Sequence, residues 1–133
     1  MNLVKHDSLK RYGKDLVWQR HVDRYTSGIA DVELVYRGQT IWVEFKWLTK
    51  IPKKPRPLMS NTLVAPLQVR FLEQRDYGST MAFVCFGFPV TFGGVNAVWI
   101  EGAQIRTGTT QLICDRPWVD NHTNGGWLGS VLA

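Results

Sequence analysis

The sequence predicts a mixed α/β fold, a central mixed β-sheet flanked by α-helices, and three observations carry that reading. Two β-rich runs, IADVELVY and TIWVEFKW, are joined across the Gly-bearing turn RGQ, which is the signature of a hairpin. From Leu63 to Tyr77 the pattern LVAPLQVRFLEQRDY places Pro66 in a first turn and Leu67, Phe71 and Leu72 on one face, with Gly78 following as the stop, as a helix requires. The longest apolar run, MAFVCFGFPV at 81–90, is too short to cross a bilayer and suits a buried strand. A length of 133 residues matches one domain spanning 1–133, with one sizeable core.

In chain order, LVKHDSLKRY at 3–12 reads as a short helix that Gly13 ends. DLVWQRHV at 15–22 is rich in β-formers and reads as a first strand. The hairpin strands follow at 29–36 and 40–47. The segment LTKIPKKPRPLMSN at 48–61 holds three prolines and four cations with no apolar period, so an extended, exposed loop is expected. After the helix comes a strand at 80–88, and AVWIEGAQI at 97–105 reads as another. The tail, PWVDNHTNGGWLGSVLA, is turn-rich with scattered aromatics and predicts no defined element.

A formal charge of +5 and an isoelectric point near 9.5 favour polyanionic partners, nucleic acid or an acidic membrane surface. Cys85 and Cys114 stand far apart in a chain without a signal-peptide pattern, so free thiols in a reducing, cytoplasmic compartment are expected. His6, His21 and His122 show no zinc spacing with them.

The chemistry concentrates in the hairpin. Side chains alternate along a strand, so Ile41, Val43, Phe45 and Trp47 share one face of TIWVEFKW, and Trp42, Glu44 and Lys46 share the other. Asp31 opens the partner strand, where the hairpin brings it close to Glu44 and Lys46. Two carboxylates and an ammonium then converge. Without partners such burial would cost several kcal/mol, and a divalent cation held by the carboxylates would offset it. An all-oxygen site suits Mg²⁺ or Mn²⁺, which make bound water more acidic and polarise a phosphoryl oxygen in phosphodiester hydrolysis. Acid-x-Lys in a strand equally describes a solvated face carrying a cross-strand ion pair. Glu33, on the same face as Asp31, is an additional acid or simply a solvated charge.

The stretch SGIADVELVYRGQTIWVEFKW, followed by a basic loop, a helix bearing Gln68, Gly78 and a further strand, resembles the core of the PD-(D/E)XK nucleases. The similarity covers roughly residues 15–90 and is greatest to the small VRR-NUC and Holliday-junction-resolvase-like nucleases, several of them from bacteriophages. It implies a restriction-endonuclease-like core and a metal-dependent endonuclease acting on DNA, with branched DNA such as a Holliday junction first. It further implies Asp31, Glu44 and the Phe45 carbonyl as ligands of Mg²⁺ or Mn²⁺, Lys46 acting on the attacking water, and Gln68 supporting the site by hydrogen bonding. Ala30 stands where the family usually has proline. The family often draws another acid from an N-terminal helix, and here only Asp7, with Asp15 just beyond it, offers one. The contrasting reading is a non-catalytic nucleic-acid-binding module on the same fold.

Lys50, Lys53, Lys54 and Arg56 follow the E-x-K strand directly, where they would hold a DNA backbone beside the metal. Arg24 and Ser27 before the motif aspartate, with Arg20 and Arg70, are further candidate contacts. Trp42, Trp47, Trp99, Trp118 and Trp127 read as base-stacking or, at strand-like and turn positions, as core or interface. Symmetric cleavage of a four-way junction needs two active sites and therefore predicts a homodimer with an isologous interface, for which the aromatic C-terminal region is the expected source.

Overall fold

A computed structural model describes residues 2–21, 28–78, 80–89, 95–115 and 119–120. Helix α1 (Asn2–Tyr12) ends in a 3₁₀ turn at Gly13–Asp15, where Gly13 takes φ +60. Strands β1 (Leu16–Arg20), β2 (Val32–Tyr36) and β3 (Gln39–Trp47) form an antiparallel meander. Helix α2 (Pro66–Arg75) then crosses over to β4 (Thr80–Pro89), which runs parallel to β3. Strand β5 (Val95–Glu101), the short helix α3 (Gln111–Asp115) and β6 (Val119–Asp120) complete one six-stranded sheet in the order β1 to β6. The fold is mixed α/β, with a mixed sheet flanked by helices, as the sequence predicts. None of the helices among the described residues is long and apolar enough to span a membrane.

The sheet is covered on both faces. On one, Leu9 and Tyr12 of α1 pack over Leu16, Val32, Leu34, Ile41, Val43, Phe83 and Cys85. On the other, Val69 and Leu72 of α2 and Ile113 of α3 close over Ala82, Val84, Phe86, Val98 and Ile100. Central β4 is buried from Ala82 to Phe86 because both of its faces are covered, which explains its unbroken apolar run. Cys85 lies inside this core and Cys114 on the surface.

The hairpin register is set by a two-residue turn. Tyr36 pairs with Gln39, and Arg37 and Gly38 both take positive φ, 48 and 81, as a type I′ turn requires. The strand bounds differ from those expected: β1 starts at Leu16 and ends at Arg20, β2 starts only at Val32, β3 starts one residue earlier at Gln39, and the 97–105 run is strand only to Glu101, where a 3₁₀ turn at Gly102–Gln104 follows. The helix is also shorter: Pro66, lacking an N–H, fits its first position, and Leu63 to Ala65 stay outside.

Three expectations are corrected. Leu67 is 55% exposed, and the buried face of α2 is instead Val69 and Leu72, with Phe71 half-buried. Trp47, assigned to the apolar face of β3, is 56% exposed at the strand's end. The 48–61 loop is only partly solvated: Lys50, Lys53, Lys54 and Arg56 are exposed, but Leu48 and Leu58 are buried and backbone bonds tie Leu48 N–H to Gly87 O and Leu58 N–H to Gly108 O.

Gly28 decides how closely α2 approaches the hairpin. It takes φ +91, and a Cβ there would lie 2.9 Å from the Cβ, carbonyl carbon and carbonyl oxygen of Leu67. Such a contact with backbone cannot be relieved by a rotamer change. Gly28→Ala is therefore expected to lower unfolding free energy by about 2 kcal/mol or more, from the left-handed backbone and the overpacking together. An unchanged urea midpoint would show that the start of α2 moves aside freely.

Candidate active site

The predicted residues meet where β2 peels away from β3. Val32 pairs with Val43, so Asp31, one residue earlier, falls opposite Glu44. There the backbone ladder gives way to side chains: Asp31 N–H donates to Glu44 Oε2 at 3.2 Å, and Phe45 N–H donates to Asp31 Oδ2 at 2.9 Å. Each carboxylate satisfies a main-chain donor that the parting strands would otherwise leave without a partner. His21 N–H donates in turn to the Asp31 carbonyl at 2.7 Å, which extends the row across three strands.

Helix α2 brings the fourth group. Gln68 stands at its third position, where its Oε1 accepts from Ala65 N–H at 3.0 Å, the half of a capping box that an alanine N-cap leaves available. That bond fixes the amide so that Nε2 donates to Glu44 Oε1 at 2.7 Å, across 24 residues of sequence. Lys46 Nζ lies 3.4 Å from the same oxygen. Both oxygens of Glu44 are thus engaged, and the side chain is buried at 3% exposure. This face of β3 is not a solvated one.

Burial, with the Asp31 charge beside it, raises the Glu44 carboxyl from 4.5 to about 7, against the lowering effect of Lys46 and of the bond from the Asp31 backbone. The chemistry of the two carboxylates, one just before β2 and one on β3, with the Phe45 backbone directly after Glu44, suits a hard divalent cation through oxygen donors. Asp31 Oδ1 has no hydrogen-bond partner among the described residues. No group of three or more His, Cys, Asp or Glu side chains gathers among the described residues, so Glu33, although on this face opposite Trp42, does not join the pair.

Other expected residues lie elsewhere. Asp15 pairs with Arg37 at 3.3 Å beside the hairpin turn, five residue pairs along the ladder from Asp31, and does not reach the site. Asp7 belongs to α1, which covers the opposite face, and its side chain is outside the described residues. Arg20 pairs with Val32 and shares its α1-side face, so it too is turned from Glu44. Arg70 is exposed two residues beyond Gln68 on α2, a spacing at which side chains do not share a face. Arg24, Ser27, Trp118, His122 and Trp127 lie outside the described residues.

Sequence reasoning passed over the wall beside Glu44. The His21 ring lies 5.1 Å from Trp42, Trp42 meets Phe71 edge-on at 5.0 Å, and the Arg75 guanidinium sits 3.6 Å over Phe71. Only the register of β1 on β2 reveals His21 as a neighbour of Asp31, and no local pattern in the sequence encodes that register. The chain matches no protein-family model, and no curated protein is significantly similar to it.

The raised Glu44 carboxyl has a consequence for stability. A carboxyl whose folded value lies above its unfolded one contributes stability that is complete below the unfolded value and is lost as pH rises through the folded value. Here the window runs from about 4.5 to about 7. Metal-free protein should lose on the order of 3 kcal/mol of unfolding free energy across it from this group, and Glu44→Gln should flatten the change. Chemical denaturation at pH 5 and pH 8 in EDTA checks this, and parallel losses in the two proteins would refute it.

Proposed function

We propose that the chain is a metal-dependent endodeoxyribonuclease of the PD-(D/E)XK type, hydrolysing phosphodiester bonds in DNA, with branched DNA such as a Holliday junction as the preferred substrate. The observation that carries this is the convergence of Asp31, Glu44, Lys46 and Gln68, drawn from two strands and a helix, around one buried carboxylate. The order α1, three antiparallel strands, α2 and a parallel β4 supports it, since the resemblance implies the same succession of elements.

Asp31, Glu44 and the Phe45 carbonyl would hold Mg²⁺ or Mn²⁺, which when bound supplies Lewis acidity at the phosphoryl oxygen and a more acidic water. The remaining roles belong to the chain. Lys46, half-buried beside Glu44, orients the attacking water and places positive charge where negative charge develops. Gln68 holds one Glu44 oxygen in place through a bond that is itself anchored to the start of α2, so it acts by positioning. Trp42, on the same face of β3 as Glu44, joins Phe71 and Arg75 of α2 in an aromatic and cationic cluster on that face. For a four-way junction two such sites must act together, as a homodimer.

The alternative is a nucleic-acid-binding module without turnover, which one observation favours. Asp31 Oδ2 and both Glu44 oxygens already take part in bonds that hold the sheet and helix together, a structural use that needs no metal.

A cleavage panel of four-way junction, flap, linear duplex and single-stranded DNA in Mg²⁺ or Mn²⁺ separates the two. The nuclease reading expects cleavage of a branched substrate that falls at least about a hundredfold in Lys46→Ala, the scale of a lost electrostatic or acid–base group. Binding without cleavage of any substrate would select the module.

A further inference from the structure

Beyond the end of β3 the loop encloses a groove of ≈ 790 Å³, within the range of ligand clefts, with Trp47 and Leu63 as apolar lining and Lys50, Lys53, Lys54 and Arg56 as its charged lining. No acid lines it. None of the four cations forms an ion pair with a described residue, so all four charges are available to an anion. The groove starts one residue from Lys46.

Trp47 is the second observation. Of the four tryptophans among the described residues, Trp18 stacks on Phe45, Trp42 meets His21 and Phe71, and Trp99 meets Phe45 and Phe83. Trp47 has no ring partner among the described residues and is more than half exposed while lining the groove. A flat aromatic face left open beside unpaired cations is the combination that binds single strands, in which bases are free to stack and the backbone tracks positive charge. Duplex DNA offers the cations its phosphates but keeps its bases stacked inside.

The loop is also held in shape. Arg56 N–H donates to the buried Thr110 Oγ1 at 3.0 Å and Arg56 O accepts from Thr110 N–H at 2.8 Å, while Pro52, Pro55 and Pro57 restrict the backbone around the cations. A binding surface set before the ligand arrives loses less entropy on binding.

The geometry points to this groove as a site for an unpaired DNA strand, with a base stacked on Trp47 and its phosphates on Lys50, Lys53, Lys54 and Arg56. The inference rests on the DNA reading of the adjacent site. Within branched DNA it adds a contact that only a substrate exposing an unpaired strand, such as a flap or a splayed fork, can fill.

Fluorescence anisotropy in EDTA tests it without turnover, using labelled oligothymidylate, oligouridylate and a blunt duplex of equal length. Oligothymidylate is expected to bind more tightly than the duplex. Trp47→Ala should weaken it roughly five- to a hundredfold, the span of one lost base stack, and Trp47→Phe should retain most of the affinity. Lys53→Gln with Lys54→Gln should lower the slope of log K against log salt by about 1.4, the value for two phosphate contacts on a single strand. Equal affinity for strand and duplex, preference for oligouridylate, or full affinity in a folded Trp47→Ala protein would each overturn the inference. If Trp47→Ala leaves strand binding unchanged while Lys46→Ala still abolishes cleavage, the groove assignment fails and the nuclease reading stands.

Discussion

The arrangement depends on the burial of one carboxylate. Glu44 sits under α2 at a point where both faces of the sheet are covered, in surroundings that penalise its charge. A backbone donor from Asp31, an amide from Gln68 and the ammonium of Lys46, two residues along the same strand, satisfy it. Through these contacts the chain entering β2, β3 at Glu44 and the first turn of α2 are fixed relative to one another. Close approach at Gly28 permits that fixation, because the chain leading into Asp31 lies against the backbone of α2. The residues that make the proposed chemistry thus also organise this end of the molecule.

What the sequence made legible follows from the range of the interactions involved. The hairpin, its facing and the opposition of Asp31 and Glu44 are encoded locally, by alternation and a two-residue turn, and the structure has them. Gly78 marks the turn into β4, with φ +60, rather than the end of α2, which stops at Arg75 with Asp76 as its C-cap. Gln68 was placed in the site by resemblance, and the structure has it bonded to Glu44. The errors arise from long-range packing. The exposure of Leu67 follows from which side of α2 meets β4, and the burial of Leu58 follows from a bond to Gly108. His21 beside Asp31 is a matter of strand pairing across a connection whose length sets no register.

The parallel pairing of β3 with β4 has its own effect on the site. A parallel connection must cross from one end of the sheet to the other, and here it does so through residues 48–65 and α2. The basic groove and Gln68 both lie on that crossover. Its first part is anchored to Gly87, Gly108 and Thr110, so the cations are carried on a segment braced against β4 and the residues that follow β5. Positive charge is therefore held near the carboxylate pair by the same connection that supplies the amide.

The two connections flanking β3 differ in how they would tolerate changes in chain length. Residues added at the exposed 53–55 stretch of the crossover lengthen a surface loop, and the entropy of closing a loop grows only slowly with its length. The Arg37–Gly38 turn has no such slack. An extra residue there that shifted β2 by one position would exchange its two faces, carrying Asp31 to the α1 side and Val32 into its place opposite Glu44. Length variation among descendants of this chain would consequently be expected to accumulate around the groove, changing what is held there, while the spacing from Asp31 to Glu44 stays constant.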